Sequence, residues 1–235
     1  MPYRRLPNTD QARIRALQAA LEQCNQTSVT ELAFSIKTKN EVLSFLPVFE
    51  GARQEYIMCL EKQVTTSKKY QTQIKTVRLY ISHFIQVLNF SVIRNEIKKE
   101  SKRLYGLDPA NFSVPDLSTE SALIIWGELI INGEQERLKL GGTPIYNPAI
   151  AKVRVHYDIF KDAGISQKIF QKSTNRYLEQ LAALRKNADE LILDLWNQVE
   201  ESFKSHPEEV RRSLCQTYGL RYYYRKNEKE TALND

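Results

Sequence analysis

Imidazole can ligate a metal or carry a proton near neutral pH, so the three histidines are the first residues to test for chemistry. None has a glutamate three positions before it, so the Glu-x-x-His pair of a di-iron bundle is missing. His83 lies among Ile81, Phe84 and Ile85, His156 follows Val155, and His206 abuts Pro207; these read as structural or solvated positions. Cys24, Cys59 and Cys215 occur singly, with no Cys-x-x-Cys and no Cys and His at ligand spacing, which argues against a disulfide framework and a zinc site. Cys59, flanked by Met58 and Leu60, reads as a small core residue. Gly141-Gly142-Thr143-Pro144 lacks the lysine of a phosphate-binding loop and follows a helix, so it reads as a turn. No Gly-x-Ser-x-Gly occurs, and Glu190 with Asp194 form an i, i+4 carboxylate pair of the kind that faces water. The chain is therefore expected to be no enzyme, with no catalytic residue, cofactor or metal.

Charge is the more distinctive property. From Ser67 to Arg103 nine cations (Lys68, Lys69, Lys75, Arg78, Arg94, Lys98, Lys99, Lys102, Arg103) face two anions (Glu96, Glu100), a local charge of +7 in a chain whose total is +6. Such a segment is either the solvated face of a long helix or an attractive surface for nucleic acid or an acidic partner, with Lys68, Lys69, Lys75, Lys98, Lys99, Lys102 and Arg103 as its candidates. A second cluster, Arg221, Tyr222, Tyr223, Tyr224, Arg225 and Lys226, interleaves rings with cations as single-strand binders do. One short segment is a small platform for nucleic acid. The preferred reading is a strand that docks its tyrosines on the bundle, pairing with Val29 to Ile36, while Arg221 and Arg225 point outward.

The elements behind these residues follow from apolar spacing. Asn8, Thr9 and Asp10 supply N-cap chemistry for a helix through Ile14, Leu17 and Leu21 to about Cys24. Val29 to Ile36 alternates and reads as extended, and Asn40 offers another cap. Pro47 is placed in the first turn of a helix to about Val64, because proline lacks the N–H that an interior position needs. A new helix resumes near Ser67 with Tyr70, Ile74, Val77, Ile81, Phe84, Leu88 and Val92 in a near-heptad rhythm, and reaches about Leu104 before Gly106 and Pro109. After a crossing loop from Leu107 to Leu117, Ser118 or Thr119 caps a helix loosened at Gly133 and ended by Gly141. A helix from Pro148 to Ala163, stopped by Gly164, precedes the strongest one, Ser166 to Ser205. A short helix from Pro207 to Tyr218, closed by Gly219, leads to the β-prone Leu220 to Tyr224 and a frayed end from Lys226.

The two best helices match at an offset of 107 residues: Tyr70, Gln73, Arg78, Ile85, Leu88 and Val92 with Tyr177, Gln180, Arg185, Ile192, Leu195 and Val199. Apolar spacing alone requires neither the glutamine nor the arginine match, and each helix follows a shorter one, so 47–104 and 148–205 read as pseudo-repeated hairpins. Were Arg78 and Arg185 to converge with carboxylates such as Glu128, Asp158 or Asp189, they would form a ligand site. The stretch from Leu184 to Trp196, followed by Tyr218, Gly219, Leu220, Arg221, Tyr222 and Tyr223, resembles a group of uncharacterised bacterial all-helical proteins. That resemblance implies a helical bundle and transfers no catalytic residue.

The expected fold is all-α, an elongated up-and-down bundle in a single domain, 1–235, with a short extended C-terminal tail. No stretch approaches the roughly 20 apolar residues of a membrane span, and Met1 to Asp10 is polar rather than signal-like. With cysteines unpaired, the cytoplasm is the expected location. The expected function is a non-enzymatic interaction or scaffold protein acting on an unknown protein partner or on itself; the alternative is nucleic-acid binding through the basic segment.

Overall fold

Helix starts are set by side chains that accept the first free backbone N–H groups. In the computed structural model of the protein, which describes residues 2–224, three such caps are explicit. Helix α1 (Asp10–Gln26) begins at Thr9, whose hydroxyl accepts from the Ala12 N–H at 3.2 Å, with Asp10 in the positive first turn. Helix α2 (Ile36–Ile93) begins at Ser35, whose hydroxyl accepts from the Thr38 N–H at 3.1 Å. Helix α3 (Glu120–Lys139) has the cap of α1 again, Thr119 accepting from Ala122 N–H at 3.1 Å. Helices α4 (Ile150–Ser202) and α5 (Glu208–Thr217) follow, with 3₁₀ segments at Val29–Glu31 and Lys99–Tyr105. Strands β1 (Tyr3–Arg4) and β2 (Tyr222–Tyr223) pair antiparallel, and the chain is otherwise an all-α bundle of long helices.

Several boundaries differ from those the sequence suggests. Helix α2 runs through Pro47 instead of starting there. Pro47 has no N–H to give the Leu43 carbonyl, but Leu46 and Phe49 on either side of it are buried, and their packing keeps the turn helical. No break precedes Ser67, because Thr65 and Thr72 turn their hydroxyls back onto the carbonyls of Glu61 and Lys68 and remain inside the helix. Helix α2 ends at Ile93, short of Leu104: Asn95 turns left-handed at φ 58°, and Glu96 N–H closes on the Ser91 carbonyl at 2.9 Å. Neither Gly164 nor Gly133 interrupts its helix. A Cβ at Gly164 would lie 3.2 Å from the Tyr70 hydroxyl, and one at Gly133 2.7 Å from the Leu104 carbonyl, so both are points of close approach. Val29 to Ile36 forms no strand; β2 pairs with β1, Tyr223 opposite Tyr3 and Tyr222 opposite Arg4.

The chain forms two compact units. The first takes residues up to Cys59 and from Thr174, the second Leu60–Ser173. In the first, Leu17 and Ala20 of α1, Val42 and Phe49 of α2, and Ile192, Trp196 and Val199 of α4 form the core. In the second, Val77, Ile81, Phe84 and Leu88 of α2 pack with Leu123 and Ile130 of α3 and Val153 and Phe160 of α4.

One polar cluster is embedded in the second core. Glu134 is fully buried and accepts from the Tyr105 hydroxyl, from Arg137 Nε at 2.9 Å and Nη2 at 2.8 Å, and from Ile145 N–H at 3.2 Å. Arg137 Nη2 also donates to the Thr143 carbonyl at 2.7 Å. Burial and the carboxylate push the Tyr105 hydroxyl far above its ordinary pKa, so it stays a donor. With each partner satisfied, the cluster ties the 3₁₀ segment and the 140–145 loop to α3.

Two glycine substitutions separate these packing rules. Gly133→Ala forces a methyl into the Leu104 carbonyl and should destabilise the fold by ~1–3 kcal/mol. Gly51→Ala, in α2 with open space around its Cβ, should stabilise it by ~0.5–1 kcal/mol through helix propensity. Thermal melts of the two variants should move in opposite directions.

Candidate anion-binding cleft

Helix α1 is held on α4 by two ion pairs that use both ends of each charged fork. Arg13 donates from Nε and Nη2 to Asp189 at 2.8 and 2.9 Å, and Arg185 donates from Nε and Nη2 to Asp10 at 2.7 and 2.8 Å. Arg78, at the position matching Arg185, instead donates to the carbonyls of Leu117 and Ser118, each at 2.9 Å. Neither arginine converges with Glu128 or Asp158 on a ligand site. Both anchor the chain just before or at the first turn of a short helix.

The pairing of Arg13 determines what the rest of α1 shows. Ala12, Arg15, Ala16 and Ala19 lie on another face, spaced 3 or 4 apart, and line a cavity of about 420 Å³. Arg15 is exposed there.

The ribbon supplies the next wall. Helix α5 ends at Gly219, whose φ of 86° is left-handed, and Leu220 N–H closes on the Cys215 carbonyl at 3.4 Å. A Cβ at Gly219 would meet the Ala16 carbonyl at 3.0 Å, so the turn lies close against α1. Arg5 N–H then donates to the Arg221 carbonyl at 3.2 Å, placing these residues side by side at the end of the ribbon. Alternation along the strands sorts the side chains. Arg4 donates to Glu200 at 2.9 Å and Asn197 at 2.7 Å, and the Tyr222 hydroxyl to Glu200 at 2.7 Å, whereas Arg5, Arg221 and Tyr223 line the cavity.

Trp196 completes the wall. Its ring is 1% exposed, and its buried indole N–H has no acceptor among the described residues. Among the same residues, no carboxylate pairs with Arg5, Arg15 or Arg221. The remaining lining residues include the amides Asn8 and Gln216, so among the described residues the cavity carries three positive charges and no negative one. No family model, curated protein or solved structure matches the chain.

The residues singled out in the sequence fall in several places. Arg221 is in the cleft, while Arg225 and Lys226 lie outside the described residues. Lys68, Lys69 and Lys75 are exposed on α2, and Lys98, Lys99 and Arg103 are exposed at the 3₁₀ segment. Lys102 does not belong to an exposed basic face: it is fully buried, its ammonium bonded to the Asn111 carbonyl and 4.2 Å above the Phe112 ring. Its desolvation lowers its pKa. Of the tyrosines, Tyr222 docks as expected through its hydroxyl, whereas Tyr223 and Tyr224 are exposed. Arg5, Arg15 and Trp196 are not singled out by sequence. Arg15 and its alanines read as ordinary helix, and only the fold sets them beside Arg5, Trp196 and Arg221.

The α1 anchor has a pH signature. The Arg185 guanidinium, aided by Arg13, holds the Asp10 carboxyl below its ordinary value of 3.8. Its stabilising effect is therefore complete above that value and is lost as pH falls through the lowered one. Asp10→Asn should lower stability by ~1–2 kcal/mol at pH 7, Arg185's partial exposure screening the pair. Urea unfolding from pH 7 to pH 2 should show the two proteins converging only below about pH 4.

Proposed function

We propose that the chain is a non-enzymatic binding protein that captures an anionic group in the cleft of its first unit. One observation carries this reading: Arg5, Arg15 and Arg221 line a single cavity that has no acid among the described residues. An anionic group would supply the counter-charge that the three guanidinium groups lack among the described residues. The lining offers no nucleophile paired with a base, which supports binding over catalysis.

Internal similarity supports the cleft as a particular feature of the first unit. We read 47–104 and 148–205 as pseudo-repeats at an offset of 107, with Tyr70, Leu88 and Val92 of α2 echoed by Tyr177, Leu195 and Val199 of α4. At that offset Trp196 corresponds to Asn89. Asn89 is buried and donates to the Phe112 carbonyl at 3.0 Å, so in the second unit the chain itself occupies the equivalent place. The nucleic-acid alternative has less support. Lys75 lies 18 residues before the end of α2, about 27 Å along the helix at 1.5 Å per residue, from the cations that follow, and Lys102 is buried.

Thermal shift at low ionic strength with a panel of small organic anions tests the reading. At least one anion should raise the melting temperature, and the effect should shrink as salt is added. In Arg15→Gln/Arg221→Gln, which removes two exposed side chains without core disturbance, affinity should fall at least tenfold. An equal shift in that variant, or none in the wild-type protein, would sink the proposal.

A further inference from the structure

We infer that the ligand of the cleft is a small organic phosphomonoester, its phosphoryl group held by Arg5, Arg15 and Arg221 and its organic body laid along the alanine wall of α1. This rests on the anion-capture reading above and adds the chemical class.

Charge and acceptor geometry point to phosphate. Three arginines line one cavity that has no acid among the described residues. A carboxylate has one negative charge and two oxygens, enough for one bidentate fork. A phosphomonoester near neutral pH carries close to two negative charges on three peripheral oxygens. That set of acceptors can engage three forks.

The shape of the cavity asks for more than the phosphoryl group. At about 420 Å³ it is in the size range of sites for organic ligands rather than for a bare ion. Ala12, Ala16 and Ala19 extend no side chain beyond Cβ, so one wall of α1 is smooth and apolar, and Leu6 and Pro7 extend that surface. A polar body would leave its own groups unpaired against such a wall; a flat apolar body would cover it.

Isothermal titration of the full chain at low salt, with phenyl phosphate, inorganic phosphate and benzoate as probes, tests the assignment. Phenyl phosphate should bind at least tenfold tighter than either of the others, and its affinity should rise between pH 5 and pH 7 as its second proton leaves at about pH 6. Ala12→Leu should remove the advantage of phenyl phosphate over inorganic phosphate. Benzoate or inorganic phosphate binding as tightly as phenyl phosphate would overturn the phosphomonoester assignment and leave anion capture standing. A short phosphotyrosine peptide binding more tightly than phenyl phosphate would overturn the small-molecule assignment in the same way. If no probe binds, and no other organic anion does, both readings fall together.

Discussion

The first unit depends on how α1 is rolled against α4, and two reciprocal ion pairs set that roll. Guanidinium and carboxylate meet edge to edge in Arg13 with Asp189 and in Arg185 with Asp10, a geometry that tolerates little rotation. On a helix with 3.6 residues per turn, Arg13 and Arg15 point about 200° apart. Once Arg13 is committed to Asp189, Arg15 must look elsewhere. Ile14, Leu17 and Ala20 then turn into the core, and the smaller alanines are left to line the cleft. The charge pairs thus contribute more to orientation than to net stability, since their partial exposure screens them.

A second constraint operates at the other wall. Period-two alternation in a two-residue ribbon would have little meaning without something to fix its register. Glu200 does this by accepting from both Arg4 and Tyr222, one from each strand. A slip of one residue would send Arg4 toward the cleft and Arg5 toward Glu200, breaking the match. Gly219 brings the second strand to this position, since only a left-handed turn so close to the Ala16 carbonyl directs the chain back along α1. The ribbon is too short to be stable alone; it is held by what it touches.

The helical class and the core faces were legible in the sequence because apolar periodicity is a local signal. Val77, Ile81, Phe84 and Leu88 announce a buried stripe, and they form one. Helix ends were harder to place because two signals have double meanings. Gly133 and Gly164 read as breaks but serve as contacts where another segment crosses closely, and Asn95, an ordinary polar residue by sequence, ends α2 by turning left-handed. Pro47 remains helical because its neighbours are buried, a tertiary effect that no local preference contains. The burial of Lys102 could not be told from that of Lys98 or Lys99, which share its charge and surroundings in the sequence. Of the cleft, only Arg221 and Tyr223 fall in the segment whose composition stood out in the sequence. Most of the remaining lining comes from residues near the opposite end of the chain, brought to Trp196 and Gly219 only by α1 and the ribbon.

The treatment of cations elsewhere in the chain gives the cleft its meaning. Arg137 is surrounded by Glu134, Tyr105 and the Thr143 carbonyl; Lys102 has the Asn111 carbonyl and the Phe112 ring; Arg78 has two carbonyls. Where a cation is structural, the fold brings acceptors to it. The same accounting applies to neutral groups, and among the described residues four buried side-chain polar atoms lack a partner. Three of them, on Gln63, Asn89 and Gln167, are acceptor oxygens, and none of these residues lines the cleft. The fourth, the Trp196 N–H, is the donor, and its ring is part of the cleft wall. Arg5, Arg15 and Arg221 have no acid beside them among the described residues, and all three call for an acceptor carrying negative charge. That they share one cavity is what separates this cleft from a solvated basic surface.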